Sequence, residues 1–426
     1  MKSLPKIRLI YFLSTLLLVE ILNCVLPQKL QALHNYFSTV ATGCVQGSDN
    51  KMGVTTNNSG TYFIATCEGH IRVGKIDANL NLVASVTDEI GEGHAITTDG
   101  TYIYAVGTAQ GTNRWLRKYD SNLALVKSAN PGFGRVYDII RDGNNLYVTG
   151  VATGLWVAKY DTNLNLVVSV TPGGVTSGRA IIKNANGVYV TGERNHSIWT
   201  GRFDSNLNLL GSDTHTLIGD GTGIGNGITS DGTNIYVVGV SELGATYPVM
   251  LKYTPDLHIN GSLHLSEVGD IQFNDAYYSE GIYVAVSGDD DGIRKYSNDL
   301  DLIDNISLGG NVMNLAMGSY GNLFVISDLV PGALITKHYF TSPIIQEFYA
   351  SDYDSNHIVW RTKAENAESY RIVDENGINI SGDLLYSSPF SFFQEANLTP
   401  NTPYTRRLET MNKIGISTSL PFTIRT

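Results

Sequence analysis

Seven positions carry the side chains with most scope for chemistry: Val54, His94, Tyr137, Arg179, Asn226, Asp275 and Asn314, one in each copy of a repeating unit. Each opens a short strand and is aligned on the strand that follows it, such as Leu146-Tyr-Val-Thr-Gly. Six of the seven can hydrogen-bond, and a histidine, tyrosine, arginine and aspartate converging on one opening could bind an acidic sugar or take up a proton. A mouth lined by solvated polar residues, with no ligand, is the plainer reading of the same pattern.

Other chemistry is thin. The sequence has no Gly-x-Ser-x-Gly elbow, no His-Glu-x-x-His, no phosphate loop ending in Gly-Lys-Ser/Thr and no Cys-x-x-Cys, and its nine histidines do not cluster. Gly219–Gly227 is glycine-rich like a phosphate cradle, yet it contains no lysine and opens no helix, so a top-face loop is expected there. Ser287-Gly-Asp289-Asp290-Asp291-Gly292 has the alternating oxygens of a calcium loop at Asp289 and Asp291, but Asn298 stands where the distal Glu belongs. No other cofactor is expected. Cys44 and Cys67 are expected to form a disulfide, with two unpaired, partly buried thiols as the alternative.

The elements that must position these residues are strands. Lys75-Ile-Asp-Ala-Asn-Leu-Asn-Leu-Val returns at Lys118, Lys159 and Arg202, more weakly at Lys252 and Lys295, and as an incomplete copy at Lys337. A period of about 43 residues is that of four-stranded propeller blades. Within each copy, runs such as Leu146-Tyr-Val-Thr-Gly read as a second strand, Trp156–Tyr160 as a third, and Leu-x-Leu-Val as a fourth. The Asp-x-Asn between them turns the chain, with Asn as the residue that tolerates a left-handed conformation. The anchor lysines fall mid-strand and read as a solvated face that discourages edge pairing. Because the seventh copy lacks a fourth strand, Asn35–Thr42 is expected to supply it and close the ring.

Export follows from the first residues. Lys2, Lys6 and Arg8 precede the apolar run Leu9–Val19, the layout of a secretory signal, with cleavage expected near Ala32. Membrane attachment would come only through an uncleaved leader or lipidation at Cys24. Loss of residues 1–32 leaves 25 basic and 39 acidic residues, a net charge of −14, against −11 for the whole chain. No basic field remains for nucleic acid.

Leu146-Tyr-Val-Thr-Gly, Trp156-Val-Ala-Lys-Tyr-Asp, Gly173-Gly-Val and Val188-Tyr-Val-Thr-Gly resemble the secreted propeller repeats of the SBBP and YVTN-like groups, over residues 36–340. The resemblance implies an exported surface protein and carries no shared catalytic residues. After Phe340 the repeat ends. Trp360, Tyr370 and Leu398-Thr-Pro-Asn-Thr-Pro-Tyr404 resemble a fibronectin type III domain, in which the Tyr404 hydroxyl would bond backbone upstream.

The sequence therefore predicts an all-β chain: a signal peptide over 1–32, a seven-bladed β-propeller over 33–340 closed by its N-terminal strand, and a fibronectin type III β-sandwich over 341–426. A non-enzymatic, secreted or cell-surface protein binding a glycan or protein partner on the propeller face is the leading expectation. A polysaccharide-processing lyase or hydrolase at the channel mouth, and a structural subunit of a coat or filament, are the alternatives.

Overall fold

In the computed structural model the alternating apolar runs form strands, and most strands of the repeats pair antiparallel with neighbours from their own copy. The structure describes residues 34–42, 44–45 and 52–426, except 78–79, 111, 217–221, 243–245, 266–269, 290, 309–310, 318–322, 330–331, 340–343, 366, 368, 386–390 and 412–415. The leader, Cys24, Asp290, the junction at 341–343 and part of the glycine-rich loop lie outside the described residues.

The third copy shows the pattern: Arg135–Asp142, Asn145–Val151, Leu155–Asp161 and Leu166–Val170 pair in that order as a four-stranded sheet. The fourth, fifth and sixth copies repeat it. In the first two copies one 17-residue strand, Leu82–Thr98, does double duty. Leu82–Ile90 is the outermost strand of copy one and Gly91–Thr98 the innermost of copy two. The switch occurs at Gly91, whose φ is 156° and where a Cβ would stand 2.2 Å from the Thr108 carbonyl oxygen, so only glycine fits.

The closing strand is found where the sequence places it. His34–Thr42 pairs with Gly332–Tyr339 to complete the last sheet, in the order His34–Thr42, Gly332–Tyr339, Leu323–Leu329, Asn311–Met317. The ring closes through apolar packing as well, because Met313, Phe324, Ile326 and Ile335 of the last copy share one core with Met52, Val54, Phe63 and Leu80 of the first. Cores lie between successive sheets rather than within one. Tyr104 and Val106 of copy two pack with Leu146, Val148 and Trp156 of copy three, and Leu155 and Val157 of copy three with Val188 and Trp199 of copy four.

The closing sheet also holds a fully buried imidazole. His338 has its Nε2 2.7 Å from the Thr336 hydroxyl, and its Nδ1 has no partner among the described residues. Burial pushes its pKa down to about 4.

Residues after 343 form two more sheets, one of Ile344–Tyr353, His357–Glu365 and Ser391–Ala396, the other built around Ser369–Asp374 and Pro403–Met411. Their shared core contains Ile358, Trp360, Tyr370, Ile372 and Leu408. Trp360 is fully buried, stacks on Phe348 and donates its Nε1–H to Glu395 at 3.0 Å. Tyr404 Oη accepts the Thr399 N–H at 2.8 Å, which ties the corner upstream as the sequence suggests.

Candidate functional site

The candidate ring begins with a bulge. In copies two to six of the repeat, and again in the seventh, the innermost strand shifts register by one residue against its neighbour, and the extra residues are His94, Tyr137, Arg179, Asn226, Asn274 and Met313. Opposite the bulge the strands come so close that a Cβ at Gly107, Gly150, Gly192 or Gly239 would stand 2.0–2.2 Å from a backbone oxygen. That contact explains the recurring Tyr-x-x-Gly.

Asp275 and Asn314 are therefore one position beyond the register the sequence suggests. They align with Asp138, while Asn274 and Met313 take the place of His94. Copies six and seven have Val286 and Ser327 where copies two to five have glycine, so no glycine marks the bulge in the sequence there. In copy one, Val54 falls two positions late, at the residue whose N–H donates to Asn314 Oδ1 at 3.1 Å, and Met52 takes the bulge position.

The bulge side chains reach into the next copy. His94 Nδ1 lies 2.6 Å from the Val136 carbonyl; since a carbonyl only accepts, Nδ1 carries the proton. Asn226 Nδ2 donates to the Phe273 carbonyl at 3.1 Å and Asn274 Nδ2 to the Val312 carbonyl at 2.8 Å. Each accepting carbonyl immediately precedes the next bulge, so three different repeats make one contact. Between copies two and four the link is a stack: the His94 and Tyr137 rings are 5.5 Å apart, and the Arg179 guanidinium lies 4.6 Å from the Tyr137 ring centre.

The following position adds a second tier. Asp138 Oδ2 accepts the Ile181 N–H at 2.8 Å, and Asp275 Oδ2 accepts both the Leu315 N–H at 3.1 Å and Asn314 Nδ2 at 2.8 Å. These polar residues form a collar that joins adjacent sheets. His94, Tyr137 and Asn274 are buried; Arg179, Asn226, Asp275 and Asn314 are half-buried and form its rim.

At the other end of the sheets the anchor lysines depart from their expected role. Lys118 is only 5% exposed: its Nζ donates to the Thr162 carbonyl of the next copy at 2.8 Å, over the Tyr102 and Tyr104 rings. Lys75 donates to Ser121 O at 2.9 Å and Lys159 to Ser205 O at 3.0 Å in the same way. The tyrosine beneath shares the target, for Tyr62 and Tyr104 donate to Ser121 O and Thr162 O. Burial, and then the nearby Asp120 carboxylate, push the Tyr62 hydroxyl up to about 12. In copies one and two, lysine and tyrosine together latch the sheet onto the next turn.

The turn itself holds another correction. Asp120 Oδ1 accepts the N–H groups of Asn122 and Ala124 at 2.8 and 2.9 Å, as an Asx turn should. The left-handed residue, however, is leucine: Leu80, Leu123, Leu164, Leu207, Leu257 and Leu300 all have φ between 57° and 70°, and Asn122, Asn163 and Asn206 do not. That conformation costs roughly 1–2 kcal/mol. Burying a leucine side chain returns about 1.5–3 kcal/mol, and each of the six is at most 7% exposed, so the core outweighs the backbone.

Cys44 and Cys67 face one another as direct partners in an antiparallel pair, and Cys67 is buried. Cys67 aligns with Ala109 rather than Gly107, since Tyr62 pairs with Lys75 as Tyr104 does with Lys118. Asp291 Oδ1 accepts the Gly288 N–H at 2.8 Å and Asp289 is exposed. Among the described residues no group of three or more His, Cys, Asp or Glu could hold a metal.

No protein-family model matches the sequence, and no curated protein matches it. Solved structures do. A chain in the crystal structure of the mitotic checkpoint complex superposes with a TM-score of 0.57 at 10% identity, covering 73% of this chain and 94% of that one. The β-propeller domain of Myceliophteria thermophila Cps50 (Swd1) superposes with a TM-score of 0.52 at 10% identity, covering 72% of this chain and all of that one. Identity this low speaks for the fold alone: the ring of four-stranded sheets is a β-propeller.

Proposed function

We propose that the chain is an exported, non-enzymatic recognition platform: a seven-bladed propeller closed by its N-terminal strand, followed by a fibronectin type III-like module, with a protein partner docking on the rim. One observation carries the reading. The collar commits His94, Tyr137 and Asn274 to neighbouring blades, so the half-buried rim of Arg179, Asn226, Asp275 and Asn314 is a stiff polar surface rather than a cleft built around an acid–base pair. Rigid scaffolds that hold loops and polar rims in place suit docking. One of the similar propellers belongs to the mitotic checkpoint complex, in keeping with a scaffold role.

Export is supported by the charged-then-apolar leader, and the module by buried Trp360 and the Tyr404 corner. The reading includes a Cys44–Cys67 disulfide: directly opposed residues have Cα atoms roughly 4.5–5.5 Å apart, within the range a disulfide spans.

The test is to probe immobilised wild-type protein and Arg179→Ala with cell-surface protein extracts and with a glycan array. Binding of a protein partner without its consumption, lost in Arg179→Ala, is the expected result. Release of product from an acidic polysaccharide would overturn the non-enzymatic reading, and a coat or filament in micrographs of the native surface would favour a structural subunit.

A further inference from the structure

Repeat two departs from the pattern that repeats one, three and four keep. Its third strand, Asn113–Tyr119, buries Arg114 and Arg117 at 9% and 4% exposure. Where Arg114 stands, copies one, three and four carry Ile71, Leu155 and Ile198; where Arg117 stands, they carry Gly74, Ala158 and Gly201. Only copy six repeats the second arginine, as Arg294. Burying a guanidinium costs several kcal/mol before pairing, and a well-packed aliphatic usually serves stability as well or better. The propeller plainly folds without these charges elsewhere.

Both arginines instead hold the loops around a cavity. Arg117 Nη1 donates to Asn130 Oδ1 at 2.8 Å, its Nη2 to Glu89 Oε1, and its Nε lies 3.3 Å from Asp88 Oδ2. Arg114 lies 4.1 Å over the Trp156 ring and donates to the Pro131 carbonyl at 2.7 Å. Backbone bonds Gln110 N–H to Ile90 O at 2.7 Å and Arg114 N–H to Gly132 O at 2.9 Å fix the same three segments. Between them is a cup of about 290 Å³ lined by Glu89, Ala109, Gln110, Asn113, Asn130 and Gly132. Phe133, the bridge partner of Asn113, is 67% exposed at its edge, and Ile90 is 64% exposed beside Glu89.

We propose that this cup binds one neutral sugar ring. Three primary amides and a carboxylate offer donors and acceptors side by side, matching the adjacent hydroxyls of a pyranose, each of which both donates and accepts. An exposed aromatic ring at the edge suits the C–H face of a sugar. The carboxylate turns away phosphate, and the cup is small for a peptide helix or a lipid chain. Arg117 is a positioning residue: it holds Glu89 and Asn130 before any ligand arrives, and such preorganisation lowers the cost of binding. The cup is built from other residues than the collar rim, so its ligand and the rim's partner are separate matters.

Saturation-transfer NMR with the methyl glycosides of glucose, galactose, mannose and N-acetylglucosamine tests the proposal. At least one glycoside should receive saturation from the wild-type protein and from Arg179→Ala. Asn113→Ala and Phe133→Ala, both at exposed positions, should weaken it about tenfold or more, some 1.4 kcal/mol, with melting temperatures unchanged. No transfer to any of the four glycosides, or wild-type affinity in both cup variants, would overturn it. Loss of sugar binding with rim binding intact removes this proposal and leaves the platform reading standing; the reverse result does the opposite.

Discussion

The two ends of the repeat solve the same problem in opposite ways. At the turn end, Lys118, Tyr104 and Asp120 have close counterparts in the first three copies, where Lys75, Lys118 and Lys159 each donate to the matching carbonyl of the next copy. At the collar end the residue changes every time, yet His94, Asn226 and Asn274 all reach the carbonyl just before the next bulge. Repetition of a residue thus marks a shared task, but variation does not mark its absence. A carbonyl acceptor is satisfied by any side chain that brings an N–H to the right place, whereas a cation over an aromatic ring admits little besides lysine or arginine.

Several perturbations sharpen that comparison. The largest effect is expected on deleting residues 34–42, which strips the last sheet of the strand that joins it to the chain's start. Neither latch nor collar can then act around a closed ring, and cooperative melting should be lost; a variant that melts as the wild type would show that closure is dispensable. Next is Leu164→Ala, which removes a buried side chain yet leaves a residue still forced into left-handed backbone. A loss of about 2–5 kcal/mol in urea unfolding is expected.

His338 lies in the closing sheet and separates that seam from the others by pH. Its folded pKa, about 4, is below the ordinary value of 6.5, so the unfolded chain binds the proton first. Its contribution is intact above pH 6.5 and is lost as pH falls toward 4, amounting to roughly 3 kcal/mol there. Unfolding midpoints measured across that window should fall for the wild type and fall less for His338→Phe. Smallest is Tyr104→Phe, which removes one hydroxyl shared between Asp99 and the Thr162 carbonyl while Lys118 still serves that carbonyl; about 1 kcal/mol is expected by thermal melting.

Much of this was legible beforehand. The period, the strand order within each copy and the strand that completes the last sheet all follow from residue patterns, because alternation and turn chemistry are local. What escaped is what depends on the neighbouring copy. Lys118 reads as a solvated strand residue until the carbonyl of Thr162 is placed beside it. Leu123 yields its left-handed backbone to a core that only exists between two sheets, so Asn122 looked the better candidate. The one-residue error at Asp275 and Asn314 has the same root: a bulge is invisible where no glycine answers it. Arg114 and Arg117 are the clearest departures from the repeat, yet a strand position alone does not reveal that the Arg117 guanidinium meets Glu89 and Asn130.

The account rests most heavily on the collar being a device that joins blades. Asn274 isolates it, since this buried amide donates to the Val312 carbonyl and to the Ser287 hydroxyl, both at 2.8 Å. Urea unfolding of Asn274→Ala should show a lowered midpoint at unchanged slope, a loss of about 2 kcal/mol of stability, the consequence of a buried carbonyl left without its donor. A midpoint equal to that of the wild type would contradict the collar's structural role.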